Sequence, residues 1–143
     1  MSDAVLGIEQ AIESLNELDR KLQRKIIRKG VRAGGKVMQA AAKSEAPNRS
    51  GKLSSKIKVR AAKSKKGSIG VTIGVGAKDF TGEAFYAGFL TYGWRSGPRK
   101  LGDARKFNKP NNFLDRACKS SESQASETAL ETIAAEIEAE TSK

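Results

Sequence analysis

Seven apolar side chains, Val5, Ile8, Ile12, Leu15, Leu18, Leu22 and Ile26, recur at steps of three and four along the start of this 143-residue chain. Steps of that size return to one side of a helix of 3.6 residues per turn, so the series predicts an inward-facing stripe and a helical N-terminal region. Ser2 or Asp3 is placed to cap its start, and Asp19 either interrupts the helix or caps a second one. Gly30 and the pair Gly34, Gly35 each weaken a helix by about 1 kcal/mol against Ala. Val37, Met38, Ala41 and Ala42 nevertheless resume the pattern, which predicts a long helical region over 3–45, bent or broken, that ends before Pro47.

The period then changes. Pro47 and Gly51 mark a turn, after which Ile57, Val59 and Ala61 alternate with Lys56, Lys58 and Arg60, and Ile69, Val71, Ile73 and Val75 recur at every second position. Alternation of this kind belongs to a strand with one buried face, and the polar link KSKKGS between two such stretches predicts a β-hairpin over 55–76 with a basic tip. Gly70, Gly74 and Gly76 fall on the other face of the second strand, which lets another backbone or chain approach closely.

Residues 85–94, FYAGFLTYGW, gather two of the five Phe, both Tyr and the only Trp. Phe85, Tyr86, Phe89 and Leu90 fit helical spacing, whereas strand alternation would divide them between two faces; the reading is a short helix over 84–92 that Gly93 terminates. Phe85 or Tyr86, with Phe89 and Leu90, would pack this helix onto the sheet, and Tyr92 and Trp94, beyond the stripe, become candidate contacts with another molecule. A long basic loop over 94–111, containing Pro98 and Pro110, follows. The C-terminal helical region, 112–140, places Phe113, Leu114 and Ala117 in a first turn and Leu130, Ile133, Ala134 and Ile137 in a later stripe; Ser121 and Gln124 have capping-box spacing, which predicts a break near Ser120. The elements together predict one α+β domain over 1–143, a long N-terminal helical region and a C-terminal helix packed on a small antiparallel β-sheet that contains the hairpin.

Charge is distributed in blocks. The net charge of +11 divides into −5 over residues 1–19, +16 over 20–66, +5 over 67–119 and −5 over 120–143. A basic body with two acidic ends has two readings: phosphate binding by the basic block, or attraction between acidic ends and basic surfaces within or between subunits. Catalytic chemistry finds little support. Without histidine, neither a Ser/His/Asp nor a Cys/His nucleophile can be built, and with the single thiol of Cys118 there is no internal disulfide and no His/Cys set for zinc. GVGAK lacks the GK[ST] ending of a phosphate-binding loop, so no nucleotide site, metal or cofactor is expected and the chain does not read as an enzyme. No apolar run reaches about 18 residues and the start is acidic, so the expectation is a protein without membrane span or secretory signal.

Three stretches in order carry a resemblance. APNRSGKLSSKIKVR is similar to a pattern of Ala-Pro, a short basic turn, Ser/Thr-Gly, a basic residue and Leu, then a strand; YAGFLTYGW resembles Tyr-Ala-x-Phe-Val-Glu-Phe-Gly-Thr; KPNNFLDRA resembles Pro-x-x-Phe-Leu-x-x-Ala. These are the signatures of the tail-completion, or head-tail joining, proteins of long-tailed bacteriophages, the gene-product-ten-like family. The matching positions are Pro47, Ser50, Gly51 and Leu53, then Tyr86, Phe89, Leu90, Tyr92 and Gly93, then Phe113, Leu114 and Ala117. Thr91 stands where the family usually has Glu and Trp94 where it usually has Thr.

The resemblance implies a structural virion protein, assembled in the host cytoplasm, that forms a hexameric ring at the neck and joins the tail to the head connector. Its implied partners are copies of itself, the connector or adaptor proteins, the tail tube or tail terminator protein, and phage DNA in the lumen. On that reading the hairpin tip, Lys63, Lys65 and Lys66, or the basic loop with Arg95, Arg99, Lys100, Arg105 and Lys106, faces the lumen or the adjoining ring. The alternative is a small basic protein that binds nucleic acid through non-specific phosphate contacts.

Overall fold

Asp19 divides the N-terminal helical region into two helices, α1 (Ser2–Asn16) and α2 (Arg20–Glu45), in a computed structural model that describes residues 2–47, 51–63, 65–76, 87–95, 97 and 107–143. Asp19 is extended, at φ −58° and ψ 141°, and its carboxylate accepts the backbone N–H of Lys21 at 3.3 Å. That bond satisfies one of the donors every helix start leaves open, so interruption and capping are one event. α2 ends as expected ahead of Pro47, with Ala46 at ψ 135°, because the proline ring crowds a helical residue before it.

The hairpin begins later than position 55. Ser55 and Lys56 belong to a short helix, α3 (Lys52–Lys56), in which the hydroxyls of Ser54 and Ser55 donate to the carbonyls of Gly51 and Lys52 at 2.8 Å. Local bonds of this type compete with strand pairing. β1 (Ile57–Ala61) then pairs antiparallel with β2 (Val71–Val75), Ile57 opposite Val75 and Ala61 opposite Val71. At the tip Lys66 (φ 54°) and Gly67 (φ 80°) are both left-handed and the Ser68 N–H donates to the Lys65 carbonyl at 3.2 Å, a type I′ turn whose twist matches that of the strands. Lysine is strained at the first of these positions and asparagine is not. Lys66→Asn is expected to raise stability by roughly 0.5 kcal/mol, read as a higher urea midpoint at unchanged slope.

α4 (Ala87–Tyr92) closes on Gly93, which at φ 75° donates its N–H to the Phe89 carbonyl at 2.8 Å, the helix stop expected of this glycine. The stretch 94–111 is not all loop. β3 (Trp94–Arg95) pairs antiparallel with β4 (Phe107–Asn108), closing the basic segment at its base. A side chain at Gly93 would start 2.6 Å from the Asn108 carbonyl oxygen and 3.2 Å from Pro110 Cδ, so glycine is what lets the two legs meet. Two residues per strand leave no alternation to detect in advance.

α5 (Phe113–Thr141) runs without the break expected near Ser120. The Ser121 hydroxyl, instead of capping a new helix, donates to the Ala117 carbonyl at 2.6 Å, and Ser120 donates to the same oxygen at 3.1 Å. Phe113, Ala117, Ser121 and Ala125 are buried at steps of four, so one packed stripe passes through the place where the break was expected. Cys118, one position round the helix from Ala117, is exposed.

α2 lies between α5 and the hairpin. Lys29 pairs with Glu136 and Arg116 with Glu45, so α2 and α5 run in opposite directions. Where they cross, a Cβ at Gly34 would lie 2.7 Å from the Ala125 carbonyl oxygen and one at Gly30 would lie 2.9 Å from that of Ala129. On another side of α2, a Cβ at Gly35 would sit 2.9 Å from Val71 Cγ2 and 3.1 Å from Val59 Cγ1, and the Gln39 amide donates to the Ile57 carbonyl at 2.7 Å. The central core joins Ala42, Ala46, Leu53, Ile57, Phe113 and Ala117, with Leu90, Leu114, Ile73 and Val75 packed on it. The fold is α+β, two long helices and a shorter N-terminal one, with a two-stranded hairpin packed on α2. Four of the nine buried hydrophobic residues among those described are alanines, so much apolar surface stays outside.

Candidate functional site: an aromatic face and a basic groove

α4 has six residues and can turn only one side to the core, and Leu90 takes it. Phe89, one position earlier, therefore points outward and is 40% exposed, which corrects its assignment to the sheet-packing set. Its ring lies 6.3 Å from that of Trp94 with the planes inclined by 58°, a tilted arrangement favourable for aromatic quadrupoles. Phe107 on β4 lies beside the same point, since a Cβ at Gly93 would meet its Cζ at 2.9 Å. The backbone holds the group together: the Asn111 N–H donates to the Leu90 carbonyl at 2.7 Å and the Asn108 amide to that of Trp94 at 3.5 Å. Phe89, Trp94 and Phe107 thus gather around Gly93 with large parts of their rings in solvent. Tyr92 is 80% exposed and borders a cavity of about 240 Å³ shared with Ile73, Gly74, Gly88 and Leu114. Grouped exposed aromatics of this kind make a candidate contact surface.

The second feature is electrostatic. Arg20, Lys21, Arg24, Lys25, Arg28, Lys29 and Arg32 are all exposed on α2. Lys29 donates to Glu136 at 2.6 Å across the helix pair, a half-exposed ion pair worth at most about 1 kcal/mol. A groove of about 490 Å³ opens between α2 and the hairpin, with Arg28, Arg32 and Arg60 as its charges and Val31, Val59 and Val71 among its apolar walls. The hairpin tip continues from it with Lys63, Lys65 and Lys66, all exposed.

The glycines predicted to admit another chain have different surroundings. Gly70 lines the groove and comes within ordinary contact of Ala62, Gly74 has open space beside it, and Gly76 is covered by the guanidinium of Arg60. Arg95 is exposed on β3, while Arg99, Lys100, Arg105 and Lys106 lie outside the described residues, as do Ser50 and Tyr86. Among the described residues no cluster of His, Cys, Asp and Glu could hold a metal ion, and no helix is long and apolar enough to cross a membrane.

The three motif stretches converge. Leu53 from the first, Phe113 and Ala117 from the third share one core cluster, and Leu90 of the second packs against it together with Leu114. Gly51, left-handed at φ 69°, leads directly into the short helix that carries Leu53, and Gly93 ends the helix that carries Leu90. What the hydrophobic pattern missed is the face of small residues, Gly30 and Gly34 against Ala125 and Ala129, and the part played by Phe107. Gly30 and Gly34 are one turn apart, as are Ala117, Ser121 and Ala125, and that small-residue periodicity was the available signal.

A family model described as "Bacteriophage HK97-gp10, putative tail-component" matches residues 9–93. Comparison with curated proteins and with solved structures found no match. The matched span takes in about half of α1, all of α2, the hairpin and α4 up to Gly93, and with them the first motif stretch and the second except Trp94; α5 and the third stretch lie beyond it. With more than half of its length matched, the chain belongs to the HK97-gp10-like family of bacteriophage proteins.

Proposed function

We propose that this phage tail-related protein is a structural subunit of the virion neck, forming a ring that completes the tail and joins it to the head connector. The observation that carries the reading is the aromatic face: in a chain of a tail-component family, Phe89, Trp94 and Phe107 are 39–54% exposed around Gly93, and the adjacent Tyr92 is 80% exposed. A chain acting alone gains nothing from four such side chains in water, and a subunit of an assembly buries them against a neighbour. The ring's other partners are the connector or adaptor and the tail tube or terminator protein, and its basic surfaces face phage DNA where it crosses the neck.

The test is genetic and visual. Phage in which this gene is inactivated should yield DNA-filled heads and separate tails, and joined infectious particles would overturn the reading. Complementation with a Tyr92→Ser/Trp94→Ser variant is expected to restore infectivity at least about tenfold less well than the native chain, because alanine-sized losses of central interface aromatics cost about 2 kcal/mol or more each. Tyr92 is 80% and Trp94 39% exposed, and neither belongs to the core cluster, so the variant should melt within a few degrees of the native protein by circular dichroism.

The basic face of α2 and the groove favour a second reading, a protein that acts alone on nucleic acid through phosphate contacts. It requires a monomer or dimer that binds duplex DNA tightly at physiological salt, loses affinity steeply as salt rises and ignores tail proteins.

A further inference from the structure

α1 is only partly used by the fold. Leu15, in its last turn, and Leu18, just beyond it, are half-buried, but Ile8 and Ile12 are 37% and 51% exposed. Glu9, Glu13 and Glu17 are exposed as well, each immediately following or lying one turn from these positions, so the helix presents a stripe of isoleucines beside a stripe of carboxylates. Residues 1–19 contain five acids and no Lys or Arg. Such a helix fits an apolar surface edged with cations.

The groove between α2 and the hairpin has that chemistry. Arg28 and Arg32 stand one turn apart, and neither has an ion pair or hydrogen bond among the described residues; Val31, Val59, Ile69 and Val71 supply apolar wall. Four residues of helix rise about 6 Å, so the Glu9 to Glu13 and Arg28 to Arg32 spacings match, and two carboxylates can meet two guanidinium forks in register. Within the chain α1 packs against α5, which occupies a different side of α2 from the hairpin.

We propose that this groove receives α1 of a second copy of the chain, with Glu9 and Glu13 on Arg28 and Arg32, and Ile8 and Ile12 on Val31, Val59 and Val71. The proposal rests on the reading of the chain as a self-associating subunit and specifies one of the contacts. It joins two different patches, helix on one copy and groove on the next, the head-to-tail type of contact that closes into rings when the rotation allows. Lys63, Lys65 and Lys66 at the neighbouring hairpin tip add long-range attraction for the acidic helix, which makes association weaken as salt rises.

Charge exchange tests it. Four full-length proteins are compared by size-exclusion chromatography with light scattering over a dilution series: the native chain, Glu9→Lys/Glu13→Lys, Arg28→Glu/Arg32→Glu, and all four substitutions together. Each double variant is expected to shift the dissociation midpoint to about tenfold higher concentration or more, and the combined protein to recover most of that loss, since opposite charges face each other again. All four residues are exposed, and thermal melts followed by circular dichroism check that each variant is folded. Native assemblies that the Glu9/Glu13 variant leaves unchanged, or double variants that the combination does not rescue, overturn the contact while leaving the ring reading standing. A native chain that is monomeric throughout overturns the contact, and overturns the ring reading as well if the tail tube protein does not raise its mass. An Arg28/Arg32 variant of native mass that loses affinity for a duplex DNA probe assigns the groove to nucleic acid and overturns the proposal.

Discussion

Phe113→Ala is expected to lower the stability of the chain by about 3–5 kcal/mol, the range for removing a fully buried aromatic. Phe113 is 2% exposed and sits in the cluster that joins the end of α2, α3, the first residue of β1 and α5. Its neighbours Ala42, Ala46 and Ala117 are already small and belong to helix backbones, so they cannot move in to fill the space. Leu53 and Ile57 would lose contacts on one side. Against a typical total of about 5–15 kcal/mol, such a loss leaves a largely unfolded or molten protein at moderate urea. Phe113→Leu, which keeps much of the volume, should cost only about 1–1.5 kcal/mol. Phe113 lies beyond the residues matched to the family, so the pair of variants also shows whether α5 is integral to the cooperative unit. Urea titrations followed at 222 nm measure both; equal small losses for the two would contradict the packing described.

Gly34→Val is the second large effect, a loss of about 2–3 kcal/mol. A Cβ at this position begins 2.7 Å from the Ala125 carbonyl oxygen and 3.2 Å from Ala129 Cβ, and the first of these belongs to backbone that cannot swing aside. α2 and α5 would have to separate over the most extensive contact in the fold. Replacing a helical glycine normally helps a helix by up to about 1 kcal/mol, so the expected sign depends wholly on the close approach. Gly7 provides the contrast within the same protein: a Cβ there meets nothing within 4 Å, and Gly7→Ala should be neutral or slightly stabilising. A Gly34→Val protein as stable as the native one would mean that the helices are not packed through their glycines.

These two positions also show which parts of the fold could be read in advance. Apolar periodicity located α2, the hairpin and α5, and the glycine rule located the end of α4 at Gly93, because each is a local property of backbone and side-chain type. Gly34 was legible only as a weakness of its helix, since the carbonyl that justifies it comes from a residue 91 positions along the chain. Ser121 fitted a capping signature and a buried helix interior equally well, and only the stripe of small residues on its own helix decided between them. β3 and β4 were invisible because two residues a side carry no alternation. The exposed aromatic face was partly legible: clustering singled out Tyr92 and Trp94, whereas Phe89 was assigned inward because spacing alone does not say which of two adjacent apolar residues wins the single inward place, which went to Leu90. Charge blocks left phosphate binding and attraction between acidic ends and a basic body both open, and the exposure of Ile8 and Ile12 is what singles out a partner for the groove.

The central claim is that this chain works as a subunit among copies of itself, and its mass in solution tests that claim most directly. Light scattering on the purified protein at low salt, alone and mixed with the tail tube protein, should give a mass several times the 15.3 kDa of one chain, or one shifted upward by the tube protein, and falling as salt is raised. A species of 15.3 kDa at every concentration, indifferent to the tail tube protein and tightly bound to duplex DNA at physiological salt, would contradict it.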